Sequence, residues 1–184
     1  GSLMVYVDGH PLLVDAGNMV YTAKTFSDAR YTLWNCRSMY HNVPLIGGFE
    51  QCAGAEYAAR NFRALPDGAS LDKAGVLSAI RGALVTPDGV QIADEITLQA
   101  PKAVVFTLIA REKPEILPDG IEFAHARMEI SPMLAATVEE IPVTDARMAK
   151  NWHGSLWRIA LTAEAGRHHR LTIKISKNNF ANQE

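Results

Sequence analysis

The 184-residue sequence has only two cysteines, Cys36 and Cys52, too few for a disulfide framework and without zinc-finger spacing. They could pair if their strands lie side by side, or stand as two small buried thiols, so cysteine usage leaves the cellular compartment open. Charge of one sign is lacking too: 18 Lys and Arg against 20 Asp and Glu leave a formal net charge of −2. Without clustered positive charge, neither nucleic acid nor an anionic membrane surface is favoured as a partner. No apolar run approaches the roughly 20 residues of a membrane-spanning helix. Residues 1–7 lack the charged and apolar regions of a secretion signal. There is no glycine-rich phosphate loop and no local signature of a Ser-His-Asp triad, so no catalytic residue is assigned.

What is present is a chain that turns often. At 48% hydrophobic content it can bury a core as one domain. Asp-Gly recurs at Asp8-Gly9, Asp67-Gly68, Asp88-Gly89 and Asp119-Gly120, three times after a proline. Glycine accepts positive φ and proline presets φ near −65°, so each pair predicts a tight turn. Between the turns lie β-rich runs: Leu3 to Val7, Leu12 to Asp15, Tyr57 to Leu65, Val90 to Leu98, Val104 to Ala110, Glu122 to Ile130, Leu156 to Thr162 and Leu171 to Ile175. In the last of these, Leu171, Ile173 and Ile175 face one way, the period-two pattern of a half-buried strand. About eight to twelve strands are expected, in an all-β antiparallel sandwich of two packed sheets. Two stretches read as short helices: Phe26 to Trp34, with Ser27 or Asp28 as N-cap, and Ser70 to Gly82, with apolar residues at helical spacing. Gly1-Ser2 runs directly into a strand, as though the chain starts inside an element of a larger protein or after a cloning scar.

The segment from Asp15 to Asn42 is the densest in chemistry, holding Asp15, Tyr21, Asp28, Arg30, Tyr31, Trp34, Arg37, Tyr40, His41 and Asn42. Such a mixture fits a sugar-binding cleft, where rings stack on pyranose faces and arginine grips carboxylates or sulfates; it fits an ordinary loop-rich rim as well. Asp15 either accepts backbone N–H bonds from the turn at Gly17 or ligates a metal with His41, and two ligands so far apart in sequence are no motif by themselves. His10, His168 and His169 read as solvated turn residues, and Trp152 and Trp157 as core or strand-face aromatics in preference to stacking platforms.

The run from Gly1 to Gly17, then Tyr21, Phe26 to Tyr31 and Tyr40-His41-Asn42-Val43-Pro44, closely resembles the heparinase II/III-like family of polysaccharide lyases. The detailed match, which runs on into Ile46-Gly47-Gly48 with Gln51, covers about a quarter of the chain, while Asp94, Asp119-Gly120 and Val138 to Ile141 leading to Trp152 agree less specifically. The resemblance implies a C-terminal β-sandwich that in the parent lyase sits beside an N-terminal α/α toroid. Uronic-acid glycans are cleaved by β-elimination between the two, with most catalytic groups on the toroid. It implies a structural zinc, with Asp15 and His41 as two of three protein ligands and the third in a His-rich stretch just before Gly1. Tyr21, Arg30 and Asn42 become candidate substrate contacts. The implied partners are an acidic polysaccharide and the toroid, the implied location periplasmic or extracellular, and the piece alone is expected to be inactive. A stand-alone carbohydrate-binding or structural module is the alternative.

Overall fold

The structure, a computed structural model, describes residues 2–51, 64–65, 68–71 and 76–178. Strand accounts for nearly all its regular structure, in the expected all-β antiparallel class. In chain order the strands are β1 (Val5–Val7), β2 (His10–Leu13), β3 (Pro44–Ile46), β4 (Ala64–Leu65), β5 (Gly68–Leu71), β6 (Val76–Thr86), β7 (Gly89–Ala110), β8 (Glu115–Leu117), β9 (Gly120–Glu122), β10 (Ala126–Ser131), β11 (Ala135–Pro142) and β12 (Ser155–Lys177). Their ladders join into one twelve-stranded network with β7 and β12 at its centre.

The Asp-Gly turns set this order. Asp8 and Gly9 have φ of 50° and 80°, two successive left-handed residues that fold β1 onto β2 and pair Val7 with His10. Asp88-Gly89 joins β6 to β7 and Asp119-Gly120 joins β8 to β9. At Gly89, φ is 151° and a Cβ would stand 1.9 Å from the Ile175 carbonyl oxygen, so only glycine lets β7 lie this close to β12. The strand β4 pairs with β5 as the fourth Asp-Gly requires, although residues 66–67 lie outside the described residues.

Four expected strands merge into two. The runs at Val90 and Val104 are halves of β7, and those at Leu156 and Leu171 are halves of β12. A straight 22-residue strand would reach about 70 Å, far beyond a domain of this size, for which a radius of gyration of about 16 Å is expected. The pair must therefore bend. The bend lies where the register shifts between Ala163, Gly166 and His168 of β12, opposite Lys102 and Thr97 of β7. Pro101, which has no N–H to give a ladder, falls in that gap. His169 pins it: the ring is 6% exposed, and its Nε2 lies 3.0 Å from both the Lys102 and Gly166 carbonyl oxygens. This corrects the reading of His169 as a solvated turn residue, which followed from its place before the alternating run at Leu171 and missed the bulge beneath it.

Of the two expected short helices, one is corrected. Residues 76–82 of the Ser70 to Gly82 segment belong to β6, and Gly68–Leu71 is β5, with no helix among the described residues there. The helical stripe was accidental: Leu77 and Ile80 are exposed, while β6 pairs with β7 from Val76↔Leu98 to Thr86↔Gly89. Phe26 to Trp34 does hold a short helix, of the 3-10 kind over Asp28–Thr32, and Ser27 caps it as expected by accepting from the Ala29 N–H. Most of the Tyr57 to Leu65 run, and Cys52, lie outside the described residues.

The main core draws on both halves of the long strands, with Ile92, Ile96, Phe106 and Leu108 of β7 and Ile159, Leu161, Leu171 and Ile173 of β12 in one cluster. A smaller cluster of Val14, Ala16, Ile109, Ile141, Met148 and Leu156 lies on the other face, with Met19, Trp34, Tyr40, Val143 and Trp152 packed on it. That second cluster is the floor of the loop layer formed by residues 14–43.

Candidate functional site

The loop layer is tied to the sheet by buried polar groups. Where β2 leaves β7, the Val14 N–H donates to the Ile109 carbonyl at 2.8 Å. Asn42, fully buried, completes the join: Nδ2 donates to the carbonyls of Leu3 (2.7 Å) and Val14 (3.0 Å), and Oδ1 accepts from the Ile109 N–H at 2.6 Å. Its own carbonyl accepts from Arg81, whose guanidinium grips both oxygens of buried Asp94 at 2.7 and 2.8 Å. The assignment of Asn42 as a substrate contact is thereby corrected. A side chain with no exposed surface and every polar atom engaged has nothing to offer a ligand.

Asp15 and His41 are brought together, although 26 positions apart in sequence. Asp15 follows the buried stretch Leu12-Leu13-Val14, and its Oδ1 accepts from the Gly17 N–H at 2.9 Å, as the turn at Gly17 suggests. Its Oδ2 lies 2.8 Å from Nδ1 of His41, which ends the 3-10 turn Ser38–Tyr40. The His41 contact, aided by the Gly17 N–H, holds the Asp15 carboxyl below its ordinary value against the opposing effect of burial. The same hydrogen bond to Asp15 raises the His41 imidazole, with the carboxylate charge and the Asn35 backbone adding to it. A carboxylate and an imidazole suit zinc, but a tetrahedral site needs four donors. Among the described residues no third His, Cys, Asp or Glu joins them.

Tyr21 and Arg30 share a recess of about 170 Å³, lined also by Asn18, Thr25, Phe26 and Asn35. Phe26 meets Tyr21 edge-on at 5.5 Å and is 77% exposed, an apolar ring standing in water at the rim. Asn35 closes the recess from below, its Nδ2 donating to the Gly17 carbonyl at 3.0 Å, so the recess and the Asp15 turn share a wall.

Three supporting residues come from over a hundred positions away, and sequence reading missed their part. Asp145 accepts from the Val20 N–H with both oxygens at 3.1 Å and from the N–H groups of Arg147 and Met148. These bonds, that of Met148 foremost, hold its carboxyl low. Arg147 lies 4.5 Å from the centre of the Tyr21 ring. Trp152 donates its Nε1–H to the Ala16 carbonyl at 3.1 Å. An Asp two residues before an Arg is too common a pattern to have pointed to this contact.

Together these features define an all-β antiparallel domain with a polar, aromatic loop layer over one end of its central strands. No family model matches the sequence, and neither does any curated protein. Solved structures do match its fold. Heparinase III aligns with a TM-score of 0.72 over 97% of the chain at 12% identity. Heparan sulfate lyase HepC from Pedobacter heparinus aligns at 0.71 over 98%, with 11% identity. A heparinase III with methylated lysines aligns at 0.68 over 100%, with 12% identity. At such identities the likeness is one of fold, and it bears out the resemblance noted in the sequence. The chain spans 29–31% of the length of these structures.

Proposed function

We propose that this chain is the β-sheet portion of a polysaccharide lyase that cleaves uronic-acid-containing glycans by β-elimination, and that it supplies one wall of the substrate cleft. The observation that carries the reading is the fold match along essentially the whole chain to a fraction of heparinase structures. In β-elimination one group neutralises the uronate carboxylate, a base removes the proton beside it and an acid protonates the leaving oxygen. Arg30 suits the first role at the cleft edge, with Tyr21 and Phe26 offering faces to the sugar rings. The base and the acid belong to the remaining part of the enzyme, a toroidal helical domain packed against the loop layer.

Asp15 and His41 are proposed as two ligands of a structural zinc that stiffens the loop layer, the other donors coming from outside the described residues. Bound zinc would replace their mutual hydrogen bond with two metal bonds and fix residues 15–17 to residue 41. A polymeric glycan is met outside the cytoplasm, so a periplasmic or extracellular location follows from this reading. No helix among the described residues is long and apolar enough to cross a membrane.

The test compares two proteins. The 184-residue chain should give no unsaturated-uronate absorbance on heparin, heparan sulfate or alginate, whereas the full-length parent should give it on at least one. In the parent, His41→Ala should lower both zinc content and melting temperature. Turnover by the chain alone would refute the division of labour, and unchanged zinc in His41→Ala would refute the ligand assignment.

A further inference from the structure

A second recess lies at the other end of β2. His10, Pro11, Arg111, Glu112, Lys113 and Trp157 are the main lining of an open hollow of about 530 Å³. Trp157 is half-buried, packed by its inner side on the main core and facing the hollow with the rest. His125 stands at the edge, fixed by Glu112, which accepts from its backbone N–H at 3.1 Å and contacts its Nδ1 at 2.7 Å. The His10 ring lies flat on His125, centroids 4.1 Å apart and planes within 9°.

The charge balance of this hollow is uneven. Among the described residues that line it the one carboxylate, Glu112, is doubly engaged with His125 and its side chain is 15% exposed, while Glu140 accepts from the Ser155 hydroxyl at 2.6 Å. Arg111 is half-buried and donates to the Ser155 carbonyl at 3.2 Å. The Lys113 ammonium stands 5.7 Å from the centre of the Trp157 ring. Neither cation forms an ion pair among the described residues. A half-buried guanidinium without a carboxylate, beside an ammonium and two aromatic surfaces, offers charge-assisted bonds to an anion and a stacking face to the ring that bears it.

We propose that this hollow binds an acidic sugar residue, carboxylated or sulfated, as a second contact with the polymer. His10 on its wall precedes Asp15 by five residues, a rise of at most about 16 Å along extended chain. Arg111 and Lys113 grip the anionic group, and Trp157 with His10 packs on the ring. The inference rests on the glycan reading above and extends it to a recess that shares no lining residue with the one at Tyr21 and Arg30.

The experiment is an NMR titration of the 184-residue chain with tetrasaccharides of heparan sulfate and of alginate, following the Trp157 indole and the His10 and His125 rings. Inorganic sulfate and neutral maltotetraose serve as parallel probes. At least one acidic tetrasaccharide should shift these signals, and maltotetraose should not. Arg111→Gln/Lys113→Gln should weaken that binding about tenfold or more, the loss of roughly one charge-assisted contact. Tyr21→Ala/Arg30→Gln should leave it in place. Equal shifts and equal affinity with sulfate alone would overturn recognition of the sugar, and binding that survives Arg111→Gln/Lys113→Gln would overturn the site. Shifts confined to the Tyr21 and Arg30 recess would sink this inference and leave the cleft reading standing. No shift at either recess, with an inactive full-length parent, would sink both.

Discussion

Replacing Asn42 tests how the loop layer is held. The side chain joins three backbone groups of three separate segments, at Leu3, Val14 and Ile109, and none of its surface reaches solvent. Asn42→Ala removes three hydrogen bonds worth about 1 kcal/mol each net, and leaves the buried Ile109 N–H and Val14 carbonyl without these partners. The expected loss is about 3–5 kcal/mol, a large part of the roughly 5–15 kcal/mol that holds a domain together. In urea, at a slope of ~2 kcal/mol per molar, the midpoint should fall by about 2 M. Asn42→Asp separates hydrogen bonding from size. Its carboxylate can still accept from Ile109, but its second oxygen faces the carbonyls of Leu3 and Val14, so at pH 7 it should be at least as damaging as alanine. Protonation restores one donor, and part of the loss should be recovered as pH falls. An Asn42→Ala midpoint within about 0.5 M of the parent, or an Asn42→Asp variant as stable as the parent at pH 7, would refute the account.

In the metal-free chain, the Asp15–His41 pair should leave a signature in stability against pH. Asp15 is depressed below 3.8 and His41 raised above 6.5, so the pair contributes fully between those values. Its contribution should fade as pH rises through the raised His41 value and as pH drops through the lowered Asp15 value. Both side chains are partly exposed, so solvent screening keeps the effect to about 0.5–1 kcal/mol, and His41→Ala should flatten the profile by that amount. An identical profile in His41→Ala, followed by urea unfolding at several pH values, would argue against the contact. Gly89→Ala should cost about 3 kcal/mol or more, because the new Cβ meets the Ile175 carbonyl. Gly9→Ala, at φ of 80° with open space around it, should cost only the backbone strain of about 1–2 kcal/mol. Equal thermal shifts for the two glycine variants would remove the case for close approach at Gly89.

The fold was legible where one residue pair dictates local geometry. Asp8-Gly9, Asp88-Gly89 and Asp119-Gly120 each mark a hairpin because the positive φ or close approach leaves little choice of residue. Legibility failed where pairing over long distances overrode local preference. Leu77 and Ile80 keep helical spacing yet lie in β6, since a full ladder with β7 outweighs any one-turn periodicity. The unity of β7 was hidden because the apolar pattern lapses between Leu98 and Val104, where Pro101 falls in the register gap opposite β12. In the site, the meeting of Asp15 and His41 was anticipated from a family resemblance, and their spacing alone would not have supplied it. Asp145 and Arg147 gave no signal, because their meaning comes from Val20 and Tyr21 far away in the chain.

The bent pair at the centre also governs when the molecule can form. Among the described residues, the strand that pairs with both halves of β7 is β12, with Gly89 alongside Ser176. Hairpins such as β6–β7 and β8–β9 can assemble as they emerge from the ribosome, but the sheet stays open along its middle until the end of β12 has been made. Folding should therefore be slow for a chain of this size, and the nascent protein should carry a long unsatisfied edge that a chaperone is suited to cover.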